Sequence, residues 1–214
     1  MKHILCFGDS NTYGLIPKSD ERYPWKIRWT SILNEKLELE NYRVIEEGLC
    51  GRTTIFEDPL RKARCGIQML PAILETNRPI DIVVIMLGTN DCKTIYGATA
   101  EIIGKGILSI IEQIRTYSAG SKILLMSPIH LGADVWKKEF DPEFSAASVS
   151  ISKELAAVYK NIAEKENIDF LDASSYAFPS SIDQEHLDEE GHRLLAEAVY
   201  DKIIEMERGK TAWM

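Results

Sequence analysis

The chain has 214 residues and carries 25 Lys and Arg against 33 Asp and Glu, a formal net charge of -8. An acidic balance with no short window dominated by Lys and Arg disfavours nucleic acid and anionic membranes as partners. Hydrophobic residues at 45% and charged residues at 27% exclude a disordered chain and suit a globular fold that needs no metal or disulfide to hold it together.

The first strand-like run is His3 to Gly8, and it ends in Gly8-Asp9-Ser10-Asn11. A helical stripe of Trp29, Leu33 and Leu37 follows, then a second strand over Tyr42 to Glu47 that leads into Gly48-Leu49-Cys50-Gly51-Arg52-Thr53-Thr54. Ile67, Leu70 and Leu74 mark the next helix, and Asp81 to Leu87 the third strand, which runs into Gly88-Thr89-Asn90-Asp91. Ile103, Ile107, Ile110, Ile114 and Tyr117 then recur at helical spacing before a fourth strand over Lys122 to Ser127. A stripe of Ala147, Ile151, Leu155, Val158 and Ile162 precedes the fifth strand, Ile168 to Asp172. After it come Ser181-Ile182-Asp183-Gln184-Glu185-His186 and a last helix marked by Leu195, Val199, Ile203 and Met206.

Strands that alternate with helices predict a parallel sheet covered on both faces, a three-layer α/β/α sandwich in one domain over residues 1–214. The unbroken run Ile82 to Leu87 belongs at the centre, whereas Arg43 and Asp169 place the second and fifth strands at the edges. The expected strand order is therefore 2-1-3-4-5, in which a crevice opens beyond the carboxyl ends of strands one and three. The long connections 16–28, with Tyr23 and Trp25, and 128–144, with Trp136 and Phe140, are expected to shape a pocket or a subunit contact.

Four strand ends bring chemistry to that crevice. A serine nucleophile needs a base to take its proton and a carboxylate to orient the base, and Asp183 with His186 offers such a pair. A developing oxyanion needs donors, for which the N–H of Ser10, the N–H of Gly51 and the amide of Asn90 are candidates. Asp9 and Asp91 are expected to order the two loops through backbone hydrogen bonds.

Gly8-Asp9-Ser10, the glycine after strand two, Gly88-Thr89-Asn90-Asp91 and the late Asp183-x-x-His186 together resemble the four sequence blocks of the SGNH (GDSL-type) hydrolases. Gly-Asp-Ser-Asn-Thr-Tyr-Gly, Gly-Arg-Thr-Thr and Met-Leu-Gly-Thr-Asn-Asp are similar to the arylesterase and acyltransferase-like branch. The resemblance implies Ser10 as nucleophile, Gly51 and Asn90 as oxyanion donors, His186 as base and Asp183 as its orienter. It further implies a serine esterase acting on short-acyl esters, with acyl transfer when an alcohol replaces water. Asn11 stands where the family label has Leu, which bears on pocket shape. Gly48 is a rival for the second block, although it is better placed to end the strand.

A non-catalytic flavin- or phosphate-binding module of flavodoxin-like order is the alternative, since it places ligands in the same crevice. It lacks a Gly-rich phosphate fingerprint and gives Asp183 and His186 no role. His192 with Asp183 and Asp188 is a poor metal set, and no metal or cofactor is implied. Cys6, Cys50, Cys65 and Cys92 lack zinc-ligand or redox spacing and are expected as reduced thiols; Cys50 and Cys92 flank the candidate positions, but a thiol nucleophile would need a base of its own. No apolar run approaches the roughly 20 residues of a membrane span, and the first strand starts where a leader would lie. A cytoplasmic homo-oligomer acting on a small ester is the expectation.

Overall fold

The computed structural model describes residues 1–38 and 41–209; residues 39–40 and 210–214 of the expected 1–214 domain lie outside the described set. In chain order the elements are β1 (Lys2–Gly8), α1 (Ser10–Tyr13), α2 (Trp29–Lys36), β2 (Tyr42–Gly48), α3 (Gly66–Thr76) and β3 (Ile82–Met86). They continue with α4 (Ala100–Tyr117), β4 (Lys122–Ser127), α5 (Ala146–Glu166), β5 (Asp169–Asp172) and α6 (Glu189–Arg208). The five strands form one parallel sheet in the order β2-β1-β3-β4-β5, as the sequence pattern predicts.

Side chains of a strand alternate between faces, so each run of consecutive apolar residues feeds two cores. Leu5, Phe7, Val83, Ile85 and Leu125 join one core with Leu70 and Leu74 of α3, the isoleucines of α4 and Leu155 and Tyr159 of α5. Ile4, Cys6, Val84, Met86 and Leu124 point to the other, where Trp29 and Leu33 of α2 meet Leu195, Val199 and Ile203 of α6. The edge strands are less covered: Val44 is the buried residue of β2 and Leu171 that of β5.

Capping fixes where the helices begin. Thr99 accepts from the Ile102 N–H at the start of α4, Ser145 and Ser148 cap α5 reciprocally, and Asp188 accepts from the Gly191 N–H to start α6. The last of these places the cap two residues after His186 and the helix start at Glu189, which gives the segment bearing His186 a firm anchor. Helix α1 has no counterpart in the apolar pattern, because four residues are too few to show a stripe. Its signals are local: Asp9 caps it, and Gly14 closes it in the left-handed region at φ 82°.

Among the described residues no helix is long and apolar enough to cross a membrane. The four cysteines are free thiols, of which Cys6, Cys65 and Cys92 are buried.

Candidate active site

The segment bearing Ser10 is built by the abrupt turn from β1 into α1. The Asp9 carboxylate accepts from the Asn11 N–H at 3.0 Å, which fixes Ser10 as the first helical residue. A first-turn N–H has no partner within its helix, so that of Ser10 is free to face a ligand. Gly48, the last residue of β2, lets α1 approach: a Cβ there would come within 2.1 Å of the Tyr13 nitrogen. Gly48 therefore serves close packing, whereas Gly51 lies further along the loop in the left-handed region, at φ 81°.

Ser10, His186 and Asp183 form a continuous hydrogen-bonded chain. Ser10 Oγ lies 2.9 Å from His186 Nε2, and His186 Nδ1 lies 2.7 Å from Asp183 Oδ2. The other carboxylate oxygen, Oδ1, accepts from the backbone N–H groups of Glu185 and His186 at 3.1 and 3.0 Å. Burial opposes the charge on Asp183, yet the His186 contact and these N–H groups prevail and hold its carboxyl below the usual range. Burial also opposes the imidazolium of His186. The charges of Glu185, Asp183 and Asp9 and the Asp183 hydrogen bond outweigh it and push the ring up to about 9.

The loops after β2 and β3 are fastened to one another. Asp91, fully buried, accepts from the Thr54 N–H at 2.9 Å and from the Thr54 hydroxyl. Burial pushes its carboxyl up to about 6, against the Thr54 hydrogen bonds that favour the ionised form. The Asn90 amide donates to the Arg52 carbonyl at 3.2 Å. An amide nitrogen carries two protons, so this contact orients the group and leaves one donor for the crevice. Arg52 itself donates to the carbonyls of Gly8 and Glu47 and lies over the Phe7 ring, tying this loop to the end of β1.

Ser10, Gly51, Asn90 and His186 share a cleft of about 390 Å³ with Leu15 and Glu185. Cys50 also lines it, but burial raises its thiol pKa and disfavours the thiolate. The connections flanking β1 and β4 contribute less aromatic surface than their composition suggests. Trp25 donates to Glu35 and lies over Arg28, and Trp136 donates to the Ala133 carbonyl; neither lines the cleft. Phe140 lies on its flank, beside Leu15, Asp183 and His186. His192 is apart from Asp183, in the second core, where its Nδ1 accepts from the Trp29 N–H and burial lowers the ring to about 3. Among the described residues no cluster of His, Cys, Asp and Glu could hold a metal ion.

Two residues inside the sequence blocks take a place that the blocks do not announce. One is Glu185, whose Oε1 lies 3.8 Å from His186 Nε2. The other is Asn11, whose Nδ2 donates to the Glu185 carbonyl at 3.3 Å and whose Oδ1 accepts from the Leu187 N–H at 2.9 Å. That amide clamps the segment bearing His186 onto the segment bearing Ser10. Replacing it should loosen their separation, and misplacement on the ångström scale costs up to about 100-fold in rate. Asn11→Ala is expected to lower kcat by about 10- to 100-fold with little change in KM. Steady-state kinetics would refute this if KM rose and kcat held.

The chain is similar to known hydrolases along most of its length. A family model described as GDSL-like Lipase/Acylhydrolase matches residues 6–194. The aryl esterase of M. smegmatis is 34% identical, with 95% of this chain and 99% of that one covered and a TM-score of 0.88. Est24, a carbohydrate acetylesterase from Sinorhizobium meliloti, is 33% identical over the same shares, also at 0.88. A lipolytic G-D-S-L protein of Veillonella parvula DSM 2008, 20% identical over 94% of this chain and 97% of that one at a TM-score of 0.70, shares the fold. No curated protein matches the chain. The match begins inside β1 and runs past His186 into α6, so it takes in every strand end that faces the cleft: the chain belongs to the GDSL-like lipase/acylhydrolase family and is an ester-hydrolysing enzyme.

Proposed function

We propose that this enzyme hydrolyses short-acyl esters with Ser10 as nucleophile, His186 as general base and acid, and Asp183 as the carboxylate that orients the ring. The observation that carries the reading is the unbroken contact from Asp183 through His186 to Ser10 Oγ, at the mouth of a cleft that also holds Gly51 and Asn90. Ser10 attacks the ester carbonyl as Nε2 takes its proton. The N–H groups of Ser10 and Gly51 and the spare proton of Asn90 Nδ2 receive the oxyanion. Collapse expels the alcohol, which collects the proton from Nε2, and water repeats the sequence to release the acid.

An alcohol that takes the place of this water gives acyl transfer at the same residues, so the two outcomes differ by a partition ratio. The modest cleft supports small esters, and the similarity to an aryl esterase and a carbohydrate acetylesterase supports the same class. Exposed Tyr176, Phe178 and Ile182, on the segment leading into the late catalytic loop, support self-association. A phosphate- or flavin-binding module would leave the Asp183 and His186 arrangement without a task.

The test is time-resolved hydrolysis of para-nitrophenyl acetate, butyrate and octanoate, with a parallel arm containing a competing alcohol. Turnover that falls with chain length and a fluorophosphonate adduct mapped to Ser10 are expected. An adduct elsewhere, or turnover without one, would sink the assignment; a new ester in the alcohol arm would establish transfer.

A further inference from the structure

Glu185 is 7% exposed, and among the described residues its carboxylate accepts no hydrogen bond. Buried carboxylates are ordinarily paired or hydrogen-bonded, because the unmet group is costly to desolvate. Of the neighbouring cations, Lys93 pairs with Glu143 and Arg61 with Asp58, while the His186 ring attracts Glu185 from 3.8 Å without donating a hydrogen bond to it. Lys93 acts on Glu185 only through space. The backbone cannot swing the side chain away, since the Glu185 N–H donates to Asp183 and its carbonyl accepts from Asn11. The carboxylate is thus held in the cleft with unused acceptor capacity.

Its position says which half of an ester it meets. The leaving oxygen must come to about 3 Å from Nε2 to collect its proton, and Glu185 Oε1 is 3.8 Å from that same nitrogen. The carbonyl oxygen, by contrast, turns toward Gly51 and Asn90. A donor one or two carbons from the ester oxygen, on the alcohol side, can therefore reach Glu185. We propose that Glu185 is a specificity-determining residue that accepts a hydrogen bond from a free hydroxyl on the alcohol half, so that the substrate class is a partly acylated polyol. This inference rests on the Ser10 and His186 reading.

An alcohol without that hydroxyl would close over Glu185 and leave it with the His186 charge nearby but no hydrogen-bond donor. A site built to bond a substrate hydroxyl rejects the analogue that lacks it far more strongly than an apolar pocket does. The test compares 2-hydroxyethyl acetate with propyl acetate, which differ by a hydroxyl in place of a methyl. The readout is the ratio of their kcat/KM values, in which a general loss of activity cancels. The wild-type enzyme is expected to prefer the hydroxylated ester by about 10- to 100-fold. Glu185→Leu should bring the ratio close to one, and Glu185→Gln, which retains a carbonyl acceptor, should keep an intermediate value. An equal ratio in wild type and Glu185→Leu would overturn the inference while leaving the serine mechanism standing. Turnover of both esters that survives Ser10→Ala would instead overturn the mechanism on which the inference rests.

Discussion

Ser10→Ala is expected to lower kcat for ester hydrolysis by about 10⁴- to 10⁶-fold while the protein stays folded. The size follows from covalent catalysis: without Oγ no acyl-enzyme forms, and the oxyanion donors and binding alone supply the remaining acceleration. The fold should tolerate the change because Oγ hydrogen-bonds only to the His186 ring among the described residues, whereas the Asp9 cap and the Asn11 clamp are made by other atoms. Losing one hydrogen bond of this kind shifts stability by about 0.5–1.5 kcal/mol. Alanine is also a good helix former at the start of α1. Burst kinetics with para-nitrophenyl acetate and thermal melting check both halves. A folded variant that keeps more than about 1% of wild-type turnover would remove Ser10 from the mechanism.

The parts of this structure legible in the sequence are those with a short period or a strong residue type. Ile82 to Met86 could be read as a central strand because consecutive apolar residues supply both cores at once, and Arg43 marked an edge for the opposite reason. Ser10, Gly51, Asn90, Asp183 and His186 stood out because each follows a strand, and parallel strands deliver their ends to one side of the sheet. Asn11 did not stand out as a clamp, since its partners are 174 and 176 residues away and an amide gives no hint of which distant backbone it will bridge. Glu185 was equally silent. A glutamate between two polar loop residues reads as solvated, and its burial depends on how the connection after β4 folds over it. That connection is tied down by Gln184, whose carbonyl accepts from the Gly132 N–H and whose side chain accepts from the Asp134 N–H. The aromatic content of the two long connections does not say which way the rings point: Trp25 turns to Glu35 of α2 and Trp136 to the Ala133 carbonyl, so neither lines the cleft, a matter of side-chain direction that composition does not encode.

Asp183→Asn is expected to lower kcat by about 10³- to 10⁴-fold with the ring still in place. Asp183 Oδ1 accepts from two backbone N–H groups, and an asparagine carbonyl would keep that place. The amide nitrogen is then turned toward His186 Nδ1, which must become the acceptor. Its proton moves to Nε2, where it faces Ser10 Oγ, and a nitrogen that already holds a proton cannot take one. The same substitution should move the pH profile. His186 works as a base only when neutral, so kcat/KM rises with pH through the ring's pKa, which stands at about 9 in the free enzyme. The groups that hold it there against burial are Glu185, Asp183 and Asp9. Removing the charge of Asp183 leaves the imidazolium less stabilised, its pKa falls, and the rising limb shifts to lower pH even as the plateau drops. Measuring kcat/KM from neutral pH to above 9 in both proteins separates the two effects. A lower plateau with an unmoved limb would mean that Asp183 does not act on His186 through its charge. A limb that moved down with a plateau within tenfold of wild type would refute the tautomer argument.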